Sequence, residues 1–405
     1  VLRLDLNAEN YNSIAALEAI LKSFLSKWEN LYGKGDEETL ARRFAAVIER
    51  AHEKTGRRVV VLVDEYDKPL LQTLDNPDLH AGYKPILKAF YGVLKSADAH
   101  LKFAMLTGVT KFSQVSVFSD LNQLVDLTMH PDYATVCGIT EEELVRDFQP
   151  ELATLAGAEK LEPEACLEKV RHWYNGYRFH PDGPGVYNPF STLNLFSRRE
   201  FSSYWFATGT PTFLVELLKK SDYDLRDLDG VELGQESFAD YRAEADSPLP
   251  VIYQTGYLTI QSYEPKVYMY TLGFPNAEVR FGFLSFFANE YLPDDSAGAH
   301  ALVAKFSRDV RSGQPEAFLE RLRAFFAGIP YELNDRTERH YQVVFYLVFT
   351  LLGQFVRAEV SSTKGRADAV VECADYVYVF EFKLDGSSEE ALAQIKHSIE
   401  KTYGR

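Results

Sequence analysis

Cysteine is scarce. Only Cys137, Cys166 and Cys373 occur in 405 residues, far apart and with no CxxC pair. That excludes a zinc knuckle and a disulfide framework, and leaves buried free thiols in a reducing cytosol as the expected state. The nine histidines include no HxH or HExxH spacing, which speaks against a zinc site. No apolar run approaches the roughly 20 residues of a membrane helix, and no leader-type segment opens the chain, so a cytoplasmic protein without membrane spans is expected. Basic residues are too few for a surface coated in positive charge, since the formal net charge is -16. Indiscriminate nucleic-acid binding is thereby disfavoured. A local basic groove remains compatible, and a bound metal can draw a phosphate into an acidic pocket. Internal repeats and low-complexity segments are also missing. The first residue is Val1 rather than Met, and the sequence is expected to begin inside a longer protein.

What is present is the composition of a globular protein, 46% hydrophobic and rich in Tyr and Phe, long enough for two or three domains. The first part alternates strands and helices: strand 1–6, helices near 11–32 and 37–54, strand 59–63, a helix near 84–96 and strand 101–107. Such alternation implies an α/β layered domain with a parallel sheet. The unbroken run Val59-Val60-Val61-Leu62-Val63 suits a strand buried on both faces. From Thr140, which with Glu143 forms a capping box, the pattern is mainly helical, near 164–174, 211–220 and 251–258. A strand pair, 259–263 and 267–271, then gives a winged-helix-like arrangement. After a helical stretch over 275–329, the end of the chain reads as a helix near 335–353, strands 355–361, 366–372 and 376–383, and a helix near 388–399. The expected domains are 1–139, 140–295 and 296–405.

Chemistry concentrates on two of those last strands. One carries Gly365-Arg366-Ala367-Asp368 and the next Val379-Phe380-Glu381-Phe382-Lys383. Strand side chains alternate, so Glu381 and Lys383 share a face opposite Phe380 and Phe382. A hairpin about Ala374-Asp375 would set Asp368 beside Glu381. Two converging carboxylates suit Mg²⁺, which activates water and steadies phosphate charge. Lys383 could orient that water. The bland alternative is a solvated Glu381–Lys383 pair, but Val379, Phe380 and Phe382 mark a core strand where charges need a reason. The pattern Asp-(x)12-Glu-x-Lys, in the order helix, three strands, helix, resembles the PD-(D/E)xK nuclease superfamily, with its restriction-endonuclease-like α/β fold. The resemblance adds Glu338 in the preceding helix as a further metal-facing carboxylate and Gln394 in the following helix. It also implies a final strand that the sequence, ending at Arg405, does not reach.

The run Val59–Val63 ends in Asp64-Glu65, the form of a Walker B element. A parallel strand delivers its last side chains to the sheet edge where nucleotides bind. Asp64 would hold the Mg²⁺ of ATP through water, and Glu65 would polarise the attacking water. The neighbouring strand ends at Thr107, and resemblance to ATPases of this class, in which a polar residue at that place senses the γ-phosphate, makes it a candidate sensor. An acidic turn at a strand end is the plainer reading. The wider wording tips the balance: Val63-Asp64-Glu65-Tyr66-Asp67-Lys68-Pro69-Leu70, Leu106-Thr107-Gly108-Val109-Thr110-Lys111-Phe112-Ser113, Phe118-Ser119-Asp120-Leu121-Asn122, Trp173-Tyr174-Asn175-Gly176-Tyr177-Arg178-Phe179, Tyr187-Asn188-Pro189-Phe190-Ser191 and Gly209-Thr210-Pro211-Thr212-Phe213. Together they resemble the AAA-ATPase-like family, whose members have a P-loop NTPase-like sheet domain and commonly end in a PD-(D/E)xK domain. No GxxxxGK[ST] loop occurs. Family members carry it upstream of the strand matching 1–6, so this sequence alone should bind ATP poorly.

Other features read as structural. Asn175-Gly176 is a turn with aromatic packing. Lys219-Lys220 and Arg198-Arg199 are solvated helix faces. The sequence therefore points to an ATPase, ATP- and Mg²⁺-dependent, joined through a helical lid to a Mg²⁺-dependent hydrolase of nucleic acid, with homo-oligomers in keeping with the family. The alternatives are a regulatory ATPase whose C-terminal domain only binds nucleic acid or protein, and an inert fragment.

Overall fold

The computed structural model describes residues 1–7, 10–73, 76–109, 124–206, 218, 228–238, 247–290, 298–327, 346–353, 357–360, 369–373, 375–380 and 392. By contact the chain divides into two compact units, each discontinuous in sequence. The first comprises 1–134, 179–181 and 232–271, and the second 135–178, 182–231 and 272–405.

In the first unit β1 (Leu2–Asp5), β2 (Val59–Asp64) and β3 (Leu101–Leu106) form a parallel sheet in the order β1-β2-β3. The apolar run at 59–63 thus becomes the central strand. Its burial differs from the expectation of two covered faces. Val59, Val61 and Val63 are buried, while Val60 and Leu62 are only half-buried, and on β3 Phe103 and Met105 are exposed. The physical reason is that helices are stacked on each other through one apolar layer. Helices α1 (Ile14–Tyr32), α2 (Leu40–Thr55) and α4 (Pro77–Ser96) pack together, with α2 against β2. Phe44 of α2 stacks on Phe90 of α4 with centroids 4.6 Å apart and on Trp28 of α1 at 5.8 Å. Helix α4 begins earlier than the expected 84, because Asn76 caps it and Pro77 sits at its first position, where a missing N–H costs nothing. The helix then runs through Pro85. A short helix, α3 (Lys68–Leu71), follows β2. A second sheet, ordered β4-β6-β5, from β4 (Val231–Gly234), β5 (Thr259–Glu264) and β6 (Met269–Gly273), is entered from the helix Leu249–Gln254, and most of it falls within the 232–271 segment of the first unit. The strand pair appears, its second strand starting two residues later than expected, while the helix begins at Leu249 and ends at Gln254 rather than spanning 251–258, and β4 adds a strand that its short, mixed sequence did not signal. The expected helix near 211–220 lies outside the described residues apart from Leu218.

The second unit opens with α5 (Glu141–Asp147), whose Thr140–Glu143 capping box is present. It continues with α6 (Gln149–Glu159), α7 (Pro163–Tyr174) and α8 (Pro189–Arg198) around Leu144, Leu155, Cys166, Val170, Tyr174, Tyr187 and Leu195. Cys166 is buried as expected, but Cys137 is exposed and Cys373 half-buried. Asn175-Gly176 is a turn: Gly176 has φ +117° and its Cα lies where a Cβ would strike the Pro275 carbonyl. Helices Ala277–Glu290, Gly298–Arg311, Pro315–Ala327 and 346–352 follow. An antiparallel sheet ordered β7-β8-β9 ends the described chain, from β7 (Arg357–Val360), β8 (Ala369–Glu372) and β9 (Val377–Phe380). These three strands stand where the sequence placed them. The expected helix at 388–399 is outside the described residues except Leu392. Among the described residues no helix is long and apolar enough to cross a membrane.

Candidate functional site

Parallel pairing brings the chain's N-terminal candidates to one edge of the first sheet. Asp5 and Asp64 are register partners at the carboxyl ends of β1 and β2, and Val63 pairs with Leu106 on β3, one residue before Thr107. The Thr107 hydroxyl donates to Asp64 Oδ1 at 2.7 Å. Two backbone bonds fix that juxtaposition: Thr107 N–H donates to the Val63 carbonyl at 2.8 Å, and Tyr66 N–H to the Thr107 carbonyl at 2.9 Å. The structure thus brings Asp64 and Thr107 into contact, and Glu65 follows Asp64 in the chain.

Asp64 keeps 48% of its side chain exposed, and Arg3 lies 3.5 Å from both it and Asp5. A carboxylate and a hydroxyl on an open strand edge form an oxygen donor set that fits a hard cation such as Mg²⁺. Glu65 follows directly, with φ +55°, a left-handed conformation uncommon outside Gly, Asn and Asp. Strain of this kind concentrates at functional turns. Burial raises the Glu65 carboxyl above its ordinary range, the Asp67 carboxylate adds to the rise, and Lys68 opposes it. Lys68 itself bonds the Asn7 carbonyl at 3.0 Å and the Asn7 side chain. No GxxxxGK[ST] pattern occurs in the sequence.

Two residues that the sequence reading did not single out complete this edge. Asp67 is fully buried and its Oδ1 accepts the Val109 N–H at 3.2 Å. Gly108 lies so close that a Cβ there would collide with Asp67 Oδ1 and the Tyr66 ring. The spacing Asp64-Glu65-Tyr66-Asp67 was a signal, but an acidic residue before a helix reads as an ordinary cap.

The second set of candidates, Asp368, Glu381, Lys383, Glu338 and Gln394, lies outside the described residues. What is described is their frame. Strands β8 and β9 pair antiparallel from Glu372 opposite Val377 to Ala369 opposite Phe380. Phe380 packs against Phe318 at 5.2 Å and Phe349 at 4.9 Å, and the Tyr378 hydroxyl donates to the Val310 carbonyl at 2.9 Å. Tyr378 and Phe380 therefore face the helices, while Val377, of opposite parity, is exposed. Among the described residues no group of three or more His, Cys, Asp or Glu side chains is arranged to hold a metal.

Comparison with known proteins agrees with both halves. Residues 1–118 match the AAA-ATPase-like family, described as "Predicted AAA-ATPase", and residues 336–403 match the PD-(D/E)XK nuclease superfamily. A protein of Azotobacter chroococcum mcd 1, called "Uncharacterized protein in vnfD 5'region", is 38% identical over 366 residues, covering 87% of this chain and 68% of the relative. No solved structure gives a significant match.

Proposed function

Since the chain belongs to the AAA-ATPase-like family and carries a PD-(D/E)XK nuclease superfamily domain at its C-terminal end, we propose that it is an ATP-hydrolysing switch coupled to a Mg²⁺-dependent nuclease acting on nucleic acid in the cytoplasm. The observation that carries the ATPase reading is the bond between Thr107 and Asp64 across the ends of adjacent parallel strands. Asp64 would hold Mg²⁺, which when bound shields the charge of the phosphates. Glu65, raised toward neutrality by burial, would accept a proton from the attacking water. Thr107 would report the γ-phosphate to Asp64. Homo-oligomers are in keeping with the family.

Register supports the nuclease reading. The last described pair is Ala369 opposite Phe380, and Asp368 and Glu381 are the next residues of the two strands' sequences. Continued alternation would set them across from each other, with Lys383 on the side away from the Phe380 core. Asp368 and Glu381 would then bind Mg²⁺ and Lys383 would orient water, with Glu338 a further metal-facing carboxylate. The domain division 1–139, 140–295 and 296–405 is kept as the functional partition: switch, lid and nuclease.

The test uses the full-length protein with labelled DNA or RNA, Mg²⁺ and ATP. Cleavage is expected in the unsubstituted protein and lost in Asp368→Ala and Lys383→Ala. Cleavage surviving both substitutions defeats the assignment. The net charge of -16 favours one competitor, a regulatory ATPase with a non-cleaving C-terminal binding module. Mn²⁺ titration separates them, because only the nuclease should show metal binding that Glu381→Ala removes.

A further inference from the structure

Asp67 occupies the N-cap position of α3 and yet makes no side-chain bond to that helix. An aspartate at this position ordinarily accepts from the second or third N–H of its own helix. Here the second helical residue is Pro69, which has no N–H. The carboxylate instead turns to the segment after β3 and accepts the Val109 N–H. It does so while fully buried, a placement that is costly for a carboxylate without specific hydrogen bonds.

Three further contacts converge on this point. Gly108 admits the Asp67 oxygen only because it lacks a Cβ. Tyr66 N–H donates to the Thr107 carbonyl. The buried Tyr91 hydroxyl donates to the Tyr66 carbonyl at 3.1 Å, bracing the turn from the α4 side. Thr107 itself is exposed, and its place is defined by its backbone bonds, its hydroxyl bonds to Asp64 and the Val63 carbonyl, and this clamp.

We propose that Asp67 is a positioning residue for nucleotide hydrolysis: its buried carboxylate clamps the Thr107–Val109 segment to the end of β2 and so holds the Thr107 hydroxyl on Asp64. Asp67 acts through Thr107 and does not itself meet the nucleotide. The inference rests on the ATPase reading for its catalytic part, while the clamp stands on geometry alone. It also accounts for glycine at 108, because any side chain there would push Asp67 out of reach.

The experiment compares Asp67→Ala, Asp67→Asn and Gly108→Ala in the full-length protein by steady-state ATP hydrolysis with Mg²⁺ and by amide hydrogen exchange, without nucleotide, over 106–109. Asp67→Ala is expected to lower kcat by ~10- to 100-fold, the scale of a displacement near 1 Å, with KM within about twofold. Exchange at Gly108 and Val109 should rise. Asp67→Asn keeps the Oδ1 acceptor and should restore most of kcat and of the protection, which a purely structural need for the charge would not predict. Gly108→Ala should repeat the kcat loss with Asp67 intact, and serves if Asp67→Ala fails to fold. A folded Asp67→Ala protein with unchanged exchange over 106–109 overturns the clamp. Raised exchange with unchanged kcat overturns the role in hydrolysis. Absence of turnover in the unsubstituted protein overturns the ATPase reading itself, and the exchange measurement still decides whether Asp67 holds the segment.

Discussion

The Ser191 hydroxyl donates to Glu278 Oε1 at 2.9 Å, joining residues 87 positions apart within the second unit. Ser191 lies in the first turn of α8 and Glu278 in the first turn of helix Ala277–Glu290. The Trp205 N–H donates to the same oxygen at 2.7 Å, and Oε2 is buried with no hydrogen-bond partner among the described residues. One side chain therefore ties two helix starts and the 202–205 segment together.

That knot should make stability depend on pH. Glu278 is 0% exposed and burial pushes its carboxyl from 4.5 up to about 7, against the opposing bonds from Ser191 and Trp205. The folded state thus holds the proton more tightly than the unfolded chain, so stability is highest below about pH 4.5 for this group and falls as pH rises through 7. The difference corresponds to about 3 kcal/mol. Glu278→Gln, permanently neutral, is expected to remove about 2 kcal/mol of the fall in stability between pH 5.5 and 8, the share of the difference that this window covers, read from calorimetric midpoints. A wild-type and Gln pair with parallel pH profiles would contradict a buried, proton-binding Glu278.

Two glycines separate conformational strain from collision. Gly56 caps α2 at φ +66° with nothing within 4 Å of the place a methyl group would take, whereas Gly176 sits at φ +117° against the Pro275 carbonyl. Gly56→Ala should cost about 1 kcal/mol, the left-handed penalty alone. Gly176→Ala should cost well over ~2 kcal/mol, because backbone must move as well. Urea midpoints for the two variants measure the difference, and equal losses would mean that the Gly176 turn yields.

Much of this frame is legible in sequence for local reasons. Val59–Val63 announces a sheet strand by composition, and Asp64-Glu65 follows it directly, so its place at the sheet edge needs only the parallel rule. Thr107 follows by the same logic one strand on. Asp67 is not legible, because its partner Val109 is 42 residues away and its sequence neighbours suggest a helix cap. Glu278 is hidden in the same way: an acid in the first turn of a helix reads as a solvated dipole partner, and only tertiary contact with Ser191 reveals it as core. Helix α4 starts earlier than the expected 84, with Asn76 as its cap, and passes through Pro85.

Thr107→Val tests the Asp64 contact with little risk to folding, since the side chain is exposed. Losing the hydroxyl removes the 2.7 Å bond and leaves the strand pairing intact. ATP turnover is expected to fall by about tenfold or more, with the thermal midpoint unchanged. Thr107→Ser, which keeps the hydroxyl, should retain most activity. Full activity in the valine protein would remove Thr107 from the site.

Phe380 links the nuclease-like sheet to its helices, through Phe318 and Phe349, and it is the residue immediately before Glu381. Stability and chemistry can therefore be separated one position apart. Phe380→Ala should cost about 3 kcal/mol, because an aromatic held by two others leaves a cavity, and any metal-dependent cleavage should decline together with the thermal midpoint. Phe380→Leu keeps most of the volume and should cost less than about 1.5 kcal/mol. Glu381→Gln should behave in the opposite sense, abolishing cleavage while leaving the midpoint within about half a kcal/mol, the outcome expected if strand alternation continues past Phe380 and sets residue 381 away from the aromatic cluster. Calorimetry and a nuclease assay on the three proteins decide the matter. A Glu381→Gln protein that loses as much stability as Phe380→Ala would show that the residue is a core element and that the alternation does not continue beyond Phe380.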